Sequence, residues 1–257
     1  MVKLNLVLTC PHSGRDVLSN PALLRNSDNY PPSCKNCEKF ENDSDLRTME
    51  LSKSIADKIA ILSGGREVHT QIALINRDYV DFNRQIECAV EPSLDKTAEI
   101  KYHEYHKGIF RIIKEMDSEI GNGLQFLFDI HGTGRTQVED SNGQVHPIDI
   151  IIGTDQGRSI HALSELDSGI FWGTKGLISL LKSKNKKVWP PNADEEVESR
   201  ILDGGYTIKT FGSTQFYEKL VAIQCEIIPE HRLDPQKREQ FAGVMAECIW
   251  NFVEPLI

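Results

Sequence analysis

Apolar positions along this chain follow two periods, and the switches between them mark its elements. Residues 3–10 are dense in Leu and Val and are stopped by Pro11, which predicts a buried strand. Residues 20–45 are rich in Asn, Ser, Pro and Asp and read as a loop excursion. Over 46–62 the apolar positions Met49, Ile55, Ile59 and Leu62 approach helical spacing, and Gly64-Gly65 stops the helix. Residues 70–75 are a second strand candidate. The longest predicted helix covers 96–117, with Ile100, Tyr105, Ile109, Ile112, Ile113 and Met116 on one broad face. Residues 124–130, 148–152 and 220–228 are near-continuous apolar runs, the signature of strands buried on both faces. Residues 235–252 close the chain as an amphipathic helix with Phe241, Val244, Met245, Cys248 and Ile249 inward. The charged, proline-containing stretch 182–198 reads as a surface loop. Strands alternating with helices predict an α/β fold. No repeat, low-complexity tract or linker interrupts it, so residues 1–257 read as a single domain.

Composition narrows the function. The 257 residues carry a net charge of -9, which argues against nucleic acid as the main partner, because phosphate binding needs a basic face. A small anionic substrate remains compatible, since a few local arginines reverse the field inside a pocket. No apolar run nears the roughly 20 residues that span a bilayer, so no membrane partner is expected. Residues 3–8 are too short an apolar run for a signal peptide, and a cytoplasmic location is the default. The oligomeric state is not legible. Six cysteines are scattered except for Cys34 and Cys37, a lone CxxC. Ordinary reduced loop cysteines are the expected reading, with a structural or redox role as the alternative.

Candidate chemistry sits at the strand ends. His12 follows the first strand and His131 follows the run 124–130, where open α/β sheets bind ligands. Imidazole is a common zinc ligand, and Asp129 points to the same strand face as His131, placed to orient it. Residues 77–84 bring Arg77, Asn83 and Arg84 together with Asp78 and Asp81. That is either an anion site built on arginine's planar fork or a set of surface ion pairs. Glu226 lies in an otherwise apolar strand on the face of Gln224. It is a general base raised by burial or a member of a structural ion pair. His103 and His106 share a helix face, either turned to metal or substrate or solvated.

Taken in order, Pro11-His12-Ser13-Gly14, Arg77 with Val80-Asp81-Phe82-Asn83-Arg84, Tyr102-His103 with Tyr105-His106, Asp129-Ile130-His131-Gly132, Asp149-Ile150 with Gly153-Thr154, Gly204-Gly205-Tyr206 and Gln224-Cys225-Glu226-Ile227 resemble the N-formylglutamate amidohydrolase family, from residue 11 to about residue 228. That family looks related to zinc carboxypeptidases and aspartoacylases. The resemblance implies a three-layer, phosphorylase/hydrolase-like sandwich with a mixed, mostly parallel sheet flanked by helices. It implies one zinc ion, or another divalent ion, on His12 and His131. Arg77 would polarise the scissile carbonyl, Asn83 and Arg84 would hold a substrate carboxylate, His106 and Gly205 would face the substrate, and Glu226 would be the base. The implied reaction is hydrolysis of the amide of an N-acylated amino acid such as N-formylglutamate, giving formate and glutamate. The alternatives are a carboxypeptidase-like peptidase or other N-acyl amino acid deacylase, and a non-catalytic carboxylate-binding protein on the same scaffold. The related carboxypeptidase pattern has a Glu three residues after the first His, where this chain has Arg15, which cannot ligate a cation. Asp45 is the first choice for the third ligand, with Asp16 and Asp43 behind it. The family's Asn-Arg-Pro approach to the Gly-Gly turn is replaced by Arg200-Ile201-Leu202-Asp203, and the 26–45 loop with its CxxC is an addition.

Overall fold

The computed structural model describes every residue except 1, 32–33, 35–41, 120–122, 168, 194–201 and 214–216. Its strands are β1 (Lys3–Cys10), β2 (Glu67–Ile72), β3 (Gln125–Gly132), β4 (Gln137–Glu139), β5 (Val145–Pro147), β6 (Ile150–Gly153), β7 (Val188–Trp189) and β8 (Leu220–Ile227). Its principal helices are α1 (Thr48–Leu62), α2 (Thr97–Glu119), α3 (His161–Leu166), α4 (Leu177–Ser183), α5 (Tyr206–Phe211) and α6 (Pro235–Val253). Among the described residues six strands form one sheet in the order β2-β1-β3-β8-β6-β7, and β4 and β5 pair separately. β2, β1, β3 and β8 run parallel, while β6 pairs antiparallel with β8 and parallel with β7. The fold is α/β with a mixed, mostly parallel sheet between helices.

The apolar runs became central strands because both faces of the sheet are covered. Leu4, Leu6, Leu8, Phe126, Phe128, Ile130, Val221, Ile223 and Cys225 feed the core under α1, α4 and α6. The alternate residues Val7, Leu127 and Ala222 feed a second core under α2 and α5. On that second face the carboxyl ends of the strands turn polar, at Thr9, Asp129, His131, Gln224 and Glu226. Connectivity explains why a site forms there. From β1 the chain builds β2 on one side, then returns to build β3 on the other. The connections leave in opposite directions, which opens a crevice at the strand ends. Helix ends are specified locally. Asp234 accepts from the Lys237 N–H ahead of Pro235 at the start of α6, and Asp95 accepts from the Thr97 N–H at the start of α2.

Several boundaries differ from the expectations. His131 lies within β3 rather than after it, so the strand register sets its direction. The strand predicted at 70–75 runs Glu67–Ile72, and that at 148–152 runs Ile150–Gly153. Ile100 is 53% exposed, because α2 turns it off the face that Tyr105, Ile109 and Ile113 bury. In α1 the buried face is Leu51, Ile55 and Ile59, and Leu62 faces solvent. The stretch 182–198 is more than a surface loop. It contains β7, with Trp189 buried at the sheet edge, and its residues 194–198 lie outside the described ones. The cysteine expectation also changes. Cys34 is bonded to Cys88, 54 residues on, so Cys34 is not a reduced loop thiol, and Cys37 lies outside the described residues. Among the described residues no helix is long and apolar enough to cross a membrane.

Candidate metal centre and active site

Register assembles the centre of the site. β3 and β8 pair so that His131 stands opposite Glu226 and Asp129 opposite Gln224. Four polar side chains thus share one face at the end of two apolar strands. β1 adds Thr9, whose hydroxyl donates to Asp129 at 2.6 Å, and its continuation past Pro11 delivers His12. The rings of His12 and His131 meet nearly edge to face, with centroids 4.9 Å apart.

Asp45 comes from the loop before α1. Its N–H donates to the His12 carbonyl at 2.9 Å, and the Thr48 hydroxyl donates to the Asp45 carbonyl at 2.6 Å. The carboxylate Oδ2 lies 3.5 Å from His12 Nδ1 and 3.3 Å from His131 Nδ1, and it accepts from the Gly132 N–H at 2.9 Å. One donor atom from each of the three residues lies within 4.8 Å of the others, and all three side chains are buried. The far nitrogens are also held. His12 Nε2 donates to Asp81 Oδ1 at 2.7 Å and His131 Nε2 to Asp129 Oδ2 at 2.9 Å. A carboxylate only accepts, so each Nε2 carries the proton, and a neutral ring leaves its Nδ1 lone pair facing Asp45. With both rings neutral, two imidazole lone pairs and one carboxylate oxygen from three elements would suit a divalent ion such as zinc. Of the three carboxylates considered for the third ligand, Asp45 alone joins the histidines. Asp16 and Asp43 are exposed.

The electrostatics fit a cation. Burial pushes the Asp45 carboxyl up, yet hydrogen bonds and charge from His12 and His131 outweigh it and hold the group far below its usual range. Burial pushes His131 down, yet Asp129, Asp45 and Glu226 together hold its imidazolium well above the usual value. The cluster favours positive charge, whether a proton or a metal ion supplies it. Glu226 behaves oppositely. Burial, reinforced by the Asp45 charge, raises its carboxyl to about 7 against the pull of His131, His12 and Arg77. Its Oε1 lies 4.0 Å from His131 Nδ1 and accepts from Gln224 Nε2 at 2.9 Å. Gln224 is fixed in turn by the Gly205 N–H, which donates to its Oε1 at 2.6 Å.

Asp81 organises the opposite wall. Its carboxylate is fully buried and accepts from His12, from Arg77 Nε and Nη2 at 3.0 and 2.8 Å, and from Arg84 Nε at 3.1 Å, with Arg25 Nη2 at 3.7 Å. Burial raises its carboxyl, and these cations overcome that to hold it well below the usual range. Of the two readings of residues 77–84, the structure shows the ion pairs, buried rather than at the surface. Arg77 and Arg84 form ion pairs and also line the cavity. The Asn83 Oδ1 accepts from the Thr207 N–H at 2.8 Å, which turns its amide nitrogen to within 3.3 Å of His131 Nε2. Gly205 is needed beside it, because a Cβ there would lie 1.9 Å from Asn83 Nδ2.

A cavity of about 890 Å³ brings together His12, Asp45, Arg77, Asn83, Arg84, His131, Gly205 and Glu226. His106 is not on its wall. Its Nδ1 donates to the Tyr102 carbonyl at 2.9 Å, and its ring packs among Tyr102, Tyr105 and Tyr206. His103 is exposed. The helix serves the site indirectly, since the Tyr102 hydroxyl donates to the Arg84 carbonyl at 2.7 Å. Sequence reasoning missed the central part of Asp81 and the contribution of Arg25. An Asp centred among Arg77, Asn83 and Arg84 was the available signal for the first, and nothing near Arg25 marked the second. Two non-glycine residues at the cavity edge, Asp155 and Gln156, are held at φ 54 and 56, the kind of strain that concentrates at functional sites.

No family model matches the sequence, and no curated protein matches it. Solved structures do. The N-formylglutamate amidohydrolase from Ralstonia eutropha JMP134 is similar over 100% of this chain and 95% of its own, with a TM-score of 0.62 and 14% identity. The gene product Atu2144 from Agrobacterium tumefaciens is similar over 99% of this chain and 92% of its own, with a TM-score of 0.57 and 14% identity. At that identity the likeness is one of architecture, and the chain has the fold of a solved N-formylglutamate amidohydrolase along its whole length.

Proposed function

We propose that this protein is a metal-dependent amidohydrolase that cleaves the amide of an N-acylated amino acid. The observation that carries the reading is the junction of His12, Asp45 and His131 with a buried carboxyl raised to about 7, Glu226, at the floor of an arginine-lined cavity. The architecture shared with a solved N-formylglutamate amidohydrolase supports it. His12 and His131 through Nδ1, and Asp45 through a carboxylate oxygen, would hold the ion. When bound, a zinc ion supplies Lewis-acid polarisation and acidifies a water toward neutral pH.

The chain's own residues supply the rest. Glu226 takes the proton of the attacking water and returns it to the departing amine nitrogen, a role suited to a group titrating near neutrality. Gln224 keeps its carboxylate on the cavity side. Arg84 and Asn83, on the cavity lining, would hold the substrate carboxylate and fix the amide in register. Arg77 places positive charge by the developing oxyanion while Asp81 holds it in place. The cavity volume favours a second reading within the same class, a deacylase for larger acyl groups. At about 890 Å³ it is near the top of the roughly 300–1,000 Å³ range of drug-sized pockets, far more than a formylated amino acid fills.

The test combines metal analysis with an assay on N-formyl-, N-acetyl- and longer N-acyl amino acids. Stoichiometric zinc and turnover that falls about 10²–10⁴-fold in Glu226→Gln, with zinc retained, is the expected result. Absence of stoichiometric metal, with no activity on added zinc, overturns it. Metal and ligand binding without turnover of any acyl amino acid points instead to a binding protein. The acyl chain giving the highest kcat/KM decides between the two enzymatic readings.

A further inference from the structure

Arg232 follows β8 and the short 3₁₀ turn Pro229–His231. Its side chain is almost entirely enclosed, at 7% exposure, yet no carboxylate pairs with it among the described residues. The guanidinium instead donates to three backbone carbonyls. Nε reaches the Ile227 oxygen at 3.2 Å, Nη1 the Leu46 oxygen at 2.7 Å and Nη2 the Thr133 oxygen at 3.2 Å. These carbonyls belong to three different segments. Ile227 follows Glu226, Leu46 follows Asp45, and Thr133 is two residues beyond His131. One side chain thus ties together the segments that carry two of the converging ligands and the buried carboxyl.

The surroundings are shaped for that side chain. A Cβ on Gly132 would lie 2.6 Å from the Arg232 Cζ and Nε, so the residue after His131 leaves room for the guanidinium. The Gly132 N–H meanwhile donates to Asp45 Oδ2 at 2.9 Å. Arg47 is held at φ 68, a left-handed conformation that costs a non-glycine residue, so the Asp45 loop does not rest in its locally favoured shape. The Leu46 tie lies one residue before Arg47. Arg238 Nη1 fixes the Arg232 backbone by donating to its carbonyl at 2.9 Å. A planar fork with donors in three directions suits this task, and a lysine ammonium does not span the same carbonyls.

We infer that Arg232 is a positioning residue that holds Asp45 and Glu226 in register with His131, and so sets the affinity of the site for a divalent ion and the rate of the chemical step. This rests on the metal-dependent reading above. Loss of the tie frees the Asp45 loop without touching Asn83 or Arg84, which sit on the other wall. The expected signature is therefore weaker metal binding and lower kcat with KM little changed.

The experiment titrates the full-length, metal-depleted protein with Zn²⁺ against a chromophoric chelator and follows Co²⁺ absorption as a report of ligand geometry. Steady-state kinetics on the best N-acyl amino acid run alongside. Arg232→Met is expected to weaken Zn²⁺ binding about 10–100-fold, the usual cost of losing a group that orients a ligand, with a matching fall in kcat and KM within about twofold. Arg232→Lys is expected to recover part of both. Gly132→Ala, which displaces the guanidinium without removing it, is expected to weaken Zn²⁺ binding in the same direction, and it carries the test if Arg232→Met does not fold. Variants that lose only thermal stability, with wild-type Zn²⁺ affinity, Co²⁺ spectrum and kcat, overturn the inference. Wild-type protein that binds neither Zn²⁺ nor Co²⁺ overturns the metal-dependent reading itself, a different result.

Discussion

Glu226 shows the conflict at the scale of one residue. A carboxyl buried at a strand end costs stability when ionised, and ionised is the form a base needs. Burial raises it to about 7, against an ordinary value of 4.5. Two outcomes follow from that direction. The base must be deprotonated, so kcat/KM is expected to rise with pH along an acid limb centred at or below about 7, because a bound cation beside the group favours its carboxylate. A pH profile whose acid limb is unchanged in Glu226→Asp, or one with no acid limb, would remove Glu226 from that role. For stability the sign is opposite. In metal-free protein the unfolded chain loses this proton near 4.5 and the folded chain only near 7, so between those values the folded state binds more protons. Stability from this group therefore falls as pH rises through that window, by on the order of 3 kcal/mol in full. Metal-free Glu226→Gln is expected to unfold at higher denaturant than wild type at pH 8 and to lose that advantage at pH 4.5. Equal midpoints at both pH values would contradict the raised carboxyl.

At the scale of elements, the site is a product of strand register and of one short helix. The β3–β8 pairing sets His131 beside Glu226, and a slip of one residue would turn both to the opposite face. The helix α5 acts from its first turn. Its Thr207 N–H holds Asn83, while the Gly205 N–H just ahead of it holds Gln224, so one backbone segment fixes both walls of the cavity. Gly205 has φ -92, which any residue adopts, so its constraint is space. Gly205→Ala forces the Asn83 amide aside. The expected outcome is a KM raised about 10–150-fold with Zn²⁺ content unchanged, since one hydrogen bond to a charged group contributes roughly 1.5–3 kcal/mol. An unchanged KM on an N-acyl amino acid would argue against Asn83 as a carboxylate contact.

At the scale of the molecule, the Cys34–Cys88 bond ties the excursion before Asp45 to the segment just after Arg84, closing a separation of 54 residues. Loop-closure entropy for such a span gives a stabilisation of about 4 kcal/mol at most. Cys88→Ser is expected to lower the unfolding free energy by about 2–4 kcal/mol under non-reducing conditions and to match wild type in excess reductant. Equal stability without reductant would show that the bond contributes nothing. The sequence by itself determined the α/β class, because apolar runs of strand length alternate with segments of helical period. It also marked His12 and His131 by their place at strand ends, Glu226 as a carboxylate in an apolar strand, and Arg77, Asn83 and Arg84 as a local cluster of donors. It left Asp45 as one carboxylate among three, Cys88 unmarked and Arg232 unnoticed. His106 looked substrate-facing until helix packing placed it off the cavity wall. These outcomes depend on contacts between residues 34 and 88, 45 and 131, or 46 and 232. Local period and residue type fix which face a side chain takes along its own element. Only the packing of elements distant in sequence decides which carboxylate meets two imidazoles, and which guanidinium reaches three carbonyls.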